Sequence, residues 1–455
     1  MFHKDDTSGW TQSGKHNKRT KNLILVGGFA CVILGSAWGL FFLSRGSLPL
    51  FSINTLTVIA GVVLIVLASR NQLRAAAIIM SHTLLLTVTL ASLGDVPVEG
   101  IQRSVHMNLW PVAAATFLIF YREGPYLRLV LPIATLLIFL AFALNLVPLP
   151  WPELVAPAEG RSAGVWINNI TGVVSTCIVI AMMQSTMNAR RTLESDMRQA
   201  IARGGFTIHY QPQVDPSGNI FGAEALLRWQ HPARGNIPPQ EFIPLAEEIG
   251  LIIPIGDWVL RTACAQLVDW AKAPQTNRLT IAVNVSASQF RQPDFVQHIK
   301  NIVMLSGAEP SRLKLELTES ALAEDIEAVV IKMQALKDLG ISWSIDDFGT
   351  GYSSLSSLKN LPLDQLKIDK SFVNDLLTDA RSTAIVETVI QLSRSLNLAL
   401  IAEGVETREQ LAALQAAGCP SYQGYLFSPP IPITALDDLI AASPRSAKRQ
   451  SGSSV

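Results

Sequence analysis

An α/β barrel of the (β/α)₈ type, with an antiparallel first strand, is predicted for the second half of this 455-residue chain, and an all-α bundle of about six membrane-crossing helices for the first. Three observations carry that prediction. Long uncharged apolar runs crowd the first 185 residues. Strand-like and helix-like segments then alternate over residues 204–440, close to the ~250 residues of such a barrel. Within that stretch, six strand-like segments end in a carboxylate or an amide: Gly222–Leu226, Ile281–Val285, Leu313–Leu317, Ile341–Asp347, Leu366–Asp369 and Leu398–Glu403.

The apolar runs are Leu23–Leu43, Leu48–Ser69, Ala75–Leu93, Met107–Tyr121, Leu129–Val147 and Val165–Met183, of which the fourth is the shortest. About 20 apolar residues cross a bilayer as a helix. The first run is too long, and lacks the small-residue cleavage site, for a cleaved signal peptide. Lys15, Lys18, Arg19, Lys21, Arg70, Arg74, Arg122, Arg128, Arg190 and Arg191 fall in alternate loops; Arg45, Arg103 and Arg161 share the others with Asp95, Glu99, Glu153 and Glu159. The positive-inside rule then places both termini and the barrel in the cytoplasm, at a bacterial inner membrane. His82, Asn168 and Asn169 lie within crossings and suit interhelical hydrogen bonds; Trp110 and Trp166 suit the interface.

The implied organisation is a cytoplasmic tail at 1–21, a membrane domain at 22–184, a linker helix at 185–203, the barrel at 204–440 and a disordered Ser-, Lys- and Arg-rich tail at 441–455. Net charge is zero with no long basic run, so nothing favours duplex nucleic acid. The four cysteines are scattered, with no C-x-x-C pair, and suit buried thiols in a reducing compartment.

Strand side chains alternate faces. Asn284 therefore shares a face with Ala282, Glu316 with Lys314, Asp346 with Ser342 and Ser344, Lys367 with Gln365 and Asp369, and Arg228 with Glu224. Ile281, Val283, Val285, Leu313, Leu315, Leu317, Trp343 and Ile345 take the other face, under the helices. The turn at Asp215–Asn219 is too short for a crossover helix, hence the antiparallel first strand. In barrels the chemistry lies at the carboxyl ends of the strands. Glu224, Asn284, Glu316, Asp346 and Glu403 fall there, and Asp347 joins them if the strand breaks at Phe348. So many carboxylates in one place call for a divalent cation, and an all-oxygen set with one amide points to a hard one such as Mg²⁺ or Mn²⁺. His231 and His298 suit structural roles, and Trp229, Trp258 and Trp270 the core.

Glu224-Ala225-Leu226-Leu227-Arg228-Trp229 resembles the signature of the EAL-domain cyclic-di-GMP phosphodiesterases. So do Tyr210-Gln211-Pro212, Asn284-Val285-Ser286, Glu316-Leu317-Thr318-Glu319, the run from Asp346 to Ser354, Leu366-Lys367-Ile368-Asp369, Ala402-Glu403-Gly404-Val405-Glu406 and Tyr422-Gln423-Gly424-Tyr425, over about residues 195–440. The resemblance implies two Mg²⁺ or Mn²⁺ ions, one held by Glu224, Asn284, Glu316 and Asp346, the second by Asp347 with Glu403 close by. It implies that Lys367 and Glu403 assist the attacking water, that Gln211, Arg228 and Gln423 contact the substrate, and that Glu406 supports the site. Glu319 would anchor the loop Phe348–Ser354, which in the family shapes the second metal site and a homodimer contact. The implied reaction opens cyclic-di-GMP to linear 5′-pGpG. No Gly-Gly-Asp-Glu-Phe segment accompanies it. The rival implied by the same barrel is a receptor that binds the dinucleotide without cutting it.

Overall fold

The computed structural model describes residues 14–97, 102–121, 123–147, 155, 157, 161–322, 326–349 and 355–442. The chain divides into two compact units, Met1–Thr192 and Leu193–Val455.

The first unit is helical: α1 (Gly14–Ser44), α2 (Leu48–Ser69), α3 (Leu73–Gly94), α4 (Leu109–Ile119, entered through a 3₁₀ turn at Val105–Asn108), α5 (Leu131–Ala143) and α6 (Arg161–Arg203). Five stretches are long and apolar enough to cross a membrane: Ile24–Ser44, Leu48–Ser69, Leu73–Gly94, Tyr126–Ala143 and Arg161–Arg203. The fourth apolar run of the sequence forms the apolar helix Val105–Ile119, shorter than the ~20 residues of a regular crossing.

Small residues let α1 and α2 approach: a Cβ on Gly61 would stand 2.7 Å from the Gly28 carbonyl oxygen. Ile24, Leu64, Ala76, Ala77 and Phe120 form a buried cluster, whereas Phe29, Ile33, Leu137 and Val173 are exposed. Among the polar groups, His82 Nε2 lies 3.1 Å from the Tyr126 hydroxyl and Asn168 Nδ2 donates to Ser104 Oγ at 3.0 Å. The first joins two helical segments, as the sequence suggests, and the second ties α6 to the residue that precedes the 3₁₀ turn.

The second unit is the barrel. Its strands are β1 (Phe206–Val214), β2 (Ile220–His231), β3 (Gly235–Ile237), β4 (Thr280–Asn284), β5 (Leu313–Thr318), β6 (Ser342–Phe348), β7 (Gln365–Ile368) and β8 (Ala399–Ala402). The order around the sheet is β1-β2-β4-β5-β6-β7-β8, with β3 as a short hairpin on β2. β1 is antiparallel to β2, and each of the later neighbours is parallel.

A single residue closes the ring. Tyr422 exchanges two backbone hydrogen bonds with Val214 at the end of β1, both 2.9 Å. On its other side it bridges Ala402 of β8, where Ala402 N–H donates to Ser421 and Gln423 N–H to Ala402.

The outward faces carry the apolar alternation: Leu313, Leu315, Leu317, Trp343, Ile345, Leu366 and Ile368 are fully buried. They pack beneath helices such as α7 (Ile252–Ala271), α8 (Ile326–Lys337) and α9 (Ala380–Ser395). The last turns of α6 belong to this unit too, because Leu193, Met197 and Ala200 join its core. Asp196 Oδ2 accepts from His231 Nε2 at 3.0 Å, which fixes His231 as a structural group. With helices filling the outer layer, the inner face is free for polar residues.

Trp343 lies behind the part of β6 that leads to Asp346, and its indole N–H donates to Met333 O at 3.0 Å. Trp343→Ala is expected to cost about 3–5 kcal/mol, to be read by denaturant unfolding of the purified protein. A loss under ~1 kcal/mol would mean that the layer behind β6 does not bear on stability.

Candidate active site

Lys367 of β7 stands at the centre of the inner face and is fully buried. Its ammonium lies 2.6 Å from Glu316 Oε2, 2.5 Å from Glu403 Oε1, 3.1 Å from Asp346 Oδ1 and 3.6 Å from Glu224 Oε2. The four carboxylates come from β5, the end of β8, β6 and β2, so the barrel brings together groups up to 179 positions apart (Glu224 to Glu403). Asn284, paired with Glu316 in the β4–β5 register, donates its amide to Glu224 Oε1 at 2.6 Å.

Asp346 and Asp347 are neighbours in sequence, and on a regular strand they would face opposite ways. A bulge resolves this. The β6–β7 register jumps between Ile345 and Phe348, and Asp347 takes a left-handed backbone with φ +55°, which Asp tolerates better than most residues. Its N–H turns back to Asp346 Oδ1 at 3.0 Å. Asp346, Asp347 and Glu403 thereby offer oxygens within 4.8 Å of one another. Just beyond, the buried Glu319 accepts from Gly349 N–H at 3.3 Å. Of the loop it was expected to anchor, residues 350–354 lie outside the described residues.

Five carboxylates therefore face one ammonium, and the charges respond. Burial would pull the Lys367 ammonium down, but Asp346, Glu224, Glu316 and Glu403 together hold it well above its ordinary value. Burial pushes Glu316 up to about 7, with Glu224 and Asp346 adding to the effect and Lys367 opposing it. Asp347 is raised to about 7 by burial, then by Asp346 and Asp369. Glu403 is also raised well above the usual carboxylate range, chiefly by burial. Protons can hold such a cluster together, and so can a divalent cation. The donor set fits a hard cation: the candidate ligands are oxygens, and Glu316 Oε1 is buried with no hydrogen-bond partner.

Two further expected residues lie against this cluster. Gln423, directly after the closing bridge, donates through Nε2 to Glu224 Oε2 at 2.5 Å and to Gln211 Oε1 at 3.1 Å. Gln211 in turn donates to Ser428 O. Two others make no hydrogen bond to the cluster, although Arg228 lies within electrostatic reach of Glu224. Arg228 is half-buried and donates through Nη1 to the neighbouring Leu227 carbonyl at 2.8 Å. Glu406 is exposed, its backbone N–H donating to Gln410 Oε1, and it is not among the carboxylates around Lys367.

The sequence assigns no role to three groups, although it places Asp369 and Lys314 on the strand faces of Lys367 and Glu316. Gln213, fully buried, donates to Gln423 Oε1 at 3.0 Å and so fixes the amide that holds Glu224; its only sequence signal is that it shares a strand face with Gln211. Asp369 caps a one-turn helix at Lys370–Asn374 and lies against Asp347. Lys314, below Glu316 on the same face, donates to Gln365 Oε1.

The EAL domain profile matches residues 194–430. The chain belongs to the EAL domain family. An "Uncharacterized signaling protein" of Caulobacter vibrioides is 46% identical over 276 residues, 59% of this chain and 34% of the relative. "Bifunctional diguanylate cyclase/cyclic di-GMP phosphodiesterase MucR" of Pseudomonas aeruginosa is 45% identical over 257 residues, 56% of this chain and 37% of the relative. The chain thus spans about a third of the length of these curated relatives. Among solved structures, "PaMucR Phosphodiesterase, c-di-GMP complex" is 46% identical, with TM-score 0.53, covering 54% of this chain and 99% of that one. The similarity lies in the EAL domain, where the carboxylates gather.

Two outcomes follow from the EAL domain geometry. Gln213→Leu leaves Gln423 Oε1 without its donor and is expected to cost about 1–3 kcal/mol, read by denaturant unfolding; an unchanged midpoint would show Gln213 to be idle. Glu316 and Asp347 ordinarily titrate at 4.5 and 3.8 and are raised to about 7 here. The folded state therefore binds more protons than the unfolded one between those values, and the chelator-treated protein is expected to lose stability as pH rises through that window. Added Mn²⁺ should reverse the loss near neutrality. A melting temperature that rises with pH under chelation would contradict the crowded-carboxylate picture.

Proposed function

We propose that the protein is a membrane-anchored phosphodiesterase that hydrolyses cyclic-di-GMP to 5′-pGpG. One observation carries the reading: Glu224, Glu316, Asp346 and Glu403 converge from separate strands on one buried ammonium, with Asn284 and Asp347 beside them. The printed names of relatives support the substrate. MucR is named a cyclic di-GMP phosphodiesterase, as is NbdA of Pseudomonas aeruginosa, 42% identical over 251 residues.

Glu224, Asn284, Glu316 and Asp346 would hold one Mg²⁺ or Mn²⁺, and Asp347 a second with Glu403 near it. Bound there, such ions supply Lewis acidity toward a phosphoryl group and lower the pKa of water. The chain's own residues do the rest. Glu403 accepts a proton from the attacking water, and the Lys367 ammonium beside it steadies the carboxylate through the change of charge. Attack at phosphorus forms one P–O bond as the P–O3′ bond breaks, and O3′ takes up a proton from solvent to become the free 3′-hydroxyl of the linear dinucleotide. Gln211 and Gln423 orient the substrate against Glu224. Arg228 pairs with a phosphate once its guanidinium swings from the Leu227 carbonyl. Glu319 steadies the turn after Asp347 through Gly349, and Glu406 supports the site from outside the cluster.

The apolar helices support a bacterial inner-membrane location. In this reading the short helix Val105–Ile119 also passes through the membrane, which makes six crossings and puts Arg70, Arg74 and Arg128 on the cytoplasmic side with the barrel. A homodimer through the barrel fits the family. In the cell, the activity would lower a messenger that favours biofilm over motility.

The test is incubation of the purified protein with cyclic-di-GMP and Mg²⁺ or Mn²⁺, with products separated by chromatography. 5′-pGpG is expected, chelation should abolish it, and Glu224→Ala should slow it at least ~100-fold with circular dichroism unchanged. Saturable binding with no 5′-pGpG would instead make the barrel a receptor.

A further inference from the structure

The first unit contains a cavity of about 650 Å³, within the ~300–1,000 Å³ of small-molecule sites. Its walls come from α1, α2, α3, α4 with the preceding 3₁₀ turn, and the first half of α6. No barrel residue lines it, so it is separate from the carboxylate cluster.

Helix α6 forms one wall and is fastened at discrete points. Asn168 Nδ2 donates to Ser104 Oγ at 3.0 Å and Arg161 Nη1 to Val96 O at 3.4 Å. Nearer the other end, Arg190 donates to the Tyr121 hydroxyl at 3.0 Å, with its guanidinium 5.7 Å from the ring centre. Two glycines bring the helix in closely: a Cβ on Gly164 would meet Trp38 at 3.5 Å, and one on Gly172 the Met107 carbonyl at 3.4 Å. Between these fastenings, α6 and the bundle leave the space open.

The lining is asymmetric. Along most of its length the cavity meets apolar side chains such as Ala30, Leu34, Leu84, Val112, Val174 and Ile178. Of the polar lining residues, Asn54, Thr57, Thr87 and Thr171 donate to carbonyls of their own helices, whereas Asp95, Ser104 and Asn168 form a linked polar group, with Asn108 and Arg161 also in the lining. There the Asp95 carboxylate is held by the Ser104 and Val105 N–H groups at 2.6 and 2.9 Å. Among the described lining residues, one carboxylate and one guanidinium cancel formally. What remains is a set of amide and hydroxyl donors and acceptors at the mouth of an apolar tube.

We propose that this cavity binds one neutral amphiphile: a single apolar chain with an uncharged, hydrogen-bonding head. The chain lies along α1, α3 and α6, and the head meets Ser104, Asn108 and Asn168. A two-chain phospholipid would set an ionic head against an end that carries no net charge to pair with it. The inference rests on the membrane reading above, and its wall α6 runs on to supply Leu193, Met197 and Ala200 to the barrel core, which gives an occupant a covalent route to the catalytic unit.

The test uses the full chain in lipid nanodiscs with a diazirine-bearing monoacylglycerol, photolysed and mapped by mass spectrometry. Saturable labelling of lining peptides around Val105–Val112 and Val174–Val179 is expected, displaced by untagged monoacylglycerol and not by the fatty acid of the same chain length. Ser175→Phe, which fills the cavity, should abolish that labelling. Asn168→Leu, which removes a head-group partner, should weaken it about tenfold, the equivalent of one lost hydrogen bond. Labelling that does not saturate, or that spreads evenly over outward residues such as Phe29, Ile33 and Leu137, would show ordinary lipid filling and overturn the proposal. So would labelling unaffected in both variants, and stronger capture of the fatty acid would overturn the neutral head. A protein that stays monodisperse without detergent or nanodiscs would sink the membrane reading itself, independently of the cavity.

Discussion

The ammonium of Lys367 is the point on which the barrel interior depends. A fully buried cation is costly unless its partners are close and well placed, and here four carboxylate oxygens lie within 3.6 Å of it. Each partner is equally dependent, since a buried carboxylate without countercharge takes up a proton. The inner face is therefore a balance of charges, whereas the interior of an ordinary barrel of this kind is filled with branched aliphatic side chains. Even with Lys314 beneath Glu316, acids outnumber cations on this face.

The outer layer makes this possible. Leu313, Leu315, Leu317, Trp343 and Ile345 fill the space beneath the helices, so the strands gain their apolar burial on one side alone. The inner side can then be chosen for chemistry. Gln213, Gln423 and Gln211 form a short relay of amides beside Glu224, which turns one strand end and the closing bridge into a single rigid mount. The Asp347 bulge does the same for β6, where a left-handed residue re-aims a side chain that regular pleating would point outward.

Much of this was legible in the chain because strand alternation assigns faces, and because Asn284, Glu316, Asp346 and Glu403 fall at or near strand ends; Glu224, expected there too, lies within the longer β2 and still joins them. The antiparallel start was legible from the brevity of the turn at Asp215–Asn219. Other features had no one-dimensional signal. The positive φ of Asp347 cannot be told from an ordinary loop entry. Gln213 resembles any polar strand residue until its donor is seen to meet Gln423. Arg228 shares a face with Glu224, yet its guanidinium finds a local carbonyl first, and Glu406 follows a motif onto an exposed helix start. Hydropathy made the run at Met107–Tyr121 look like its neighbours, but a 3₁₀ turn and a short helix stand there in place of one long helix.

Closure through isolated bridges has a mechanical consequence. Neighbouring strands elsewhere share several rungs, but β8 and β1 meet only through Tyr422, with Ile431 bridging Tyr210 further along β1. Such a seam is where the ring can breathe without unzipping the rest, because local opening follows the weakest cooperative link. Gln423 sits directly on that link, so a breath at the seam withdraws its amide from Glu224 while β5, β6 and β7 stay knit. The amides of Val214, Tyr422 and Gln423 would then trade hydrogen for deuterium sooner than those of the central strands, and the mouth of the pocket would loosen on the Glu224 side first.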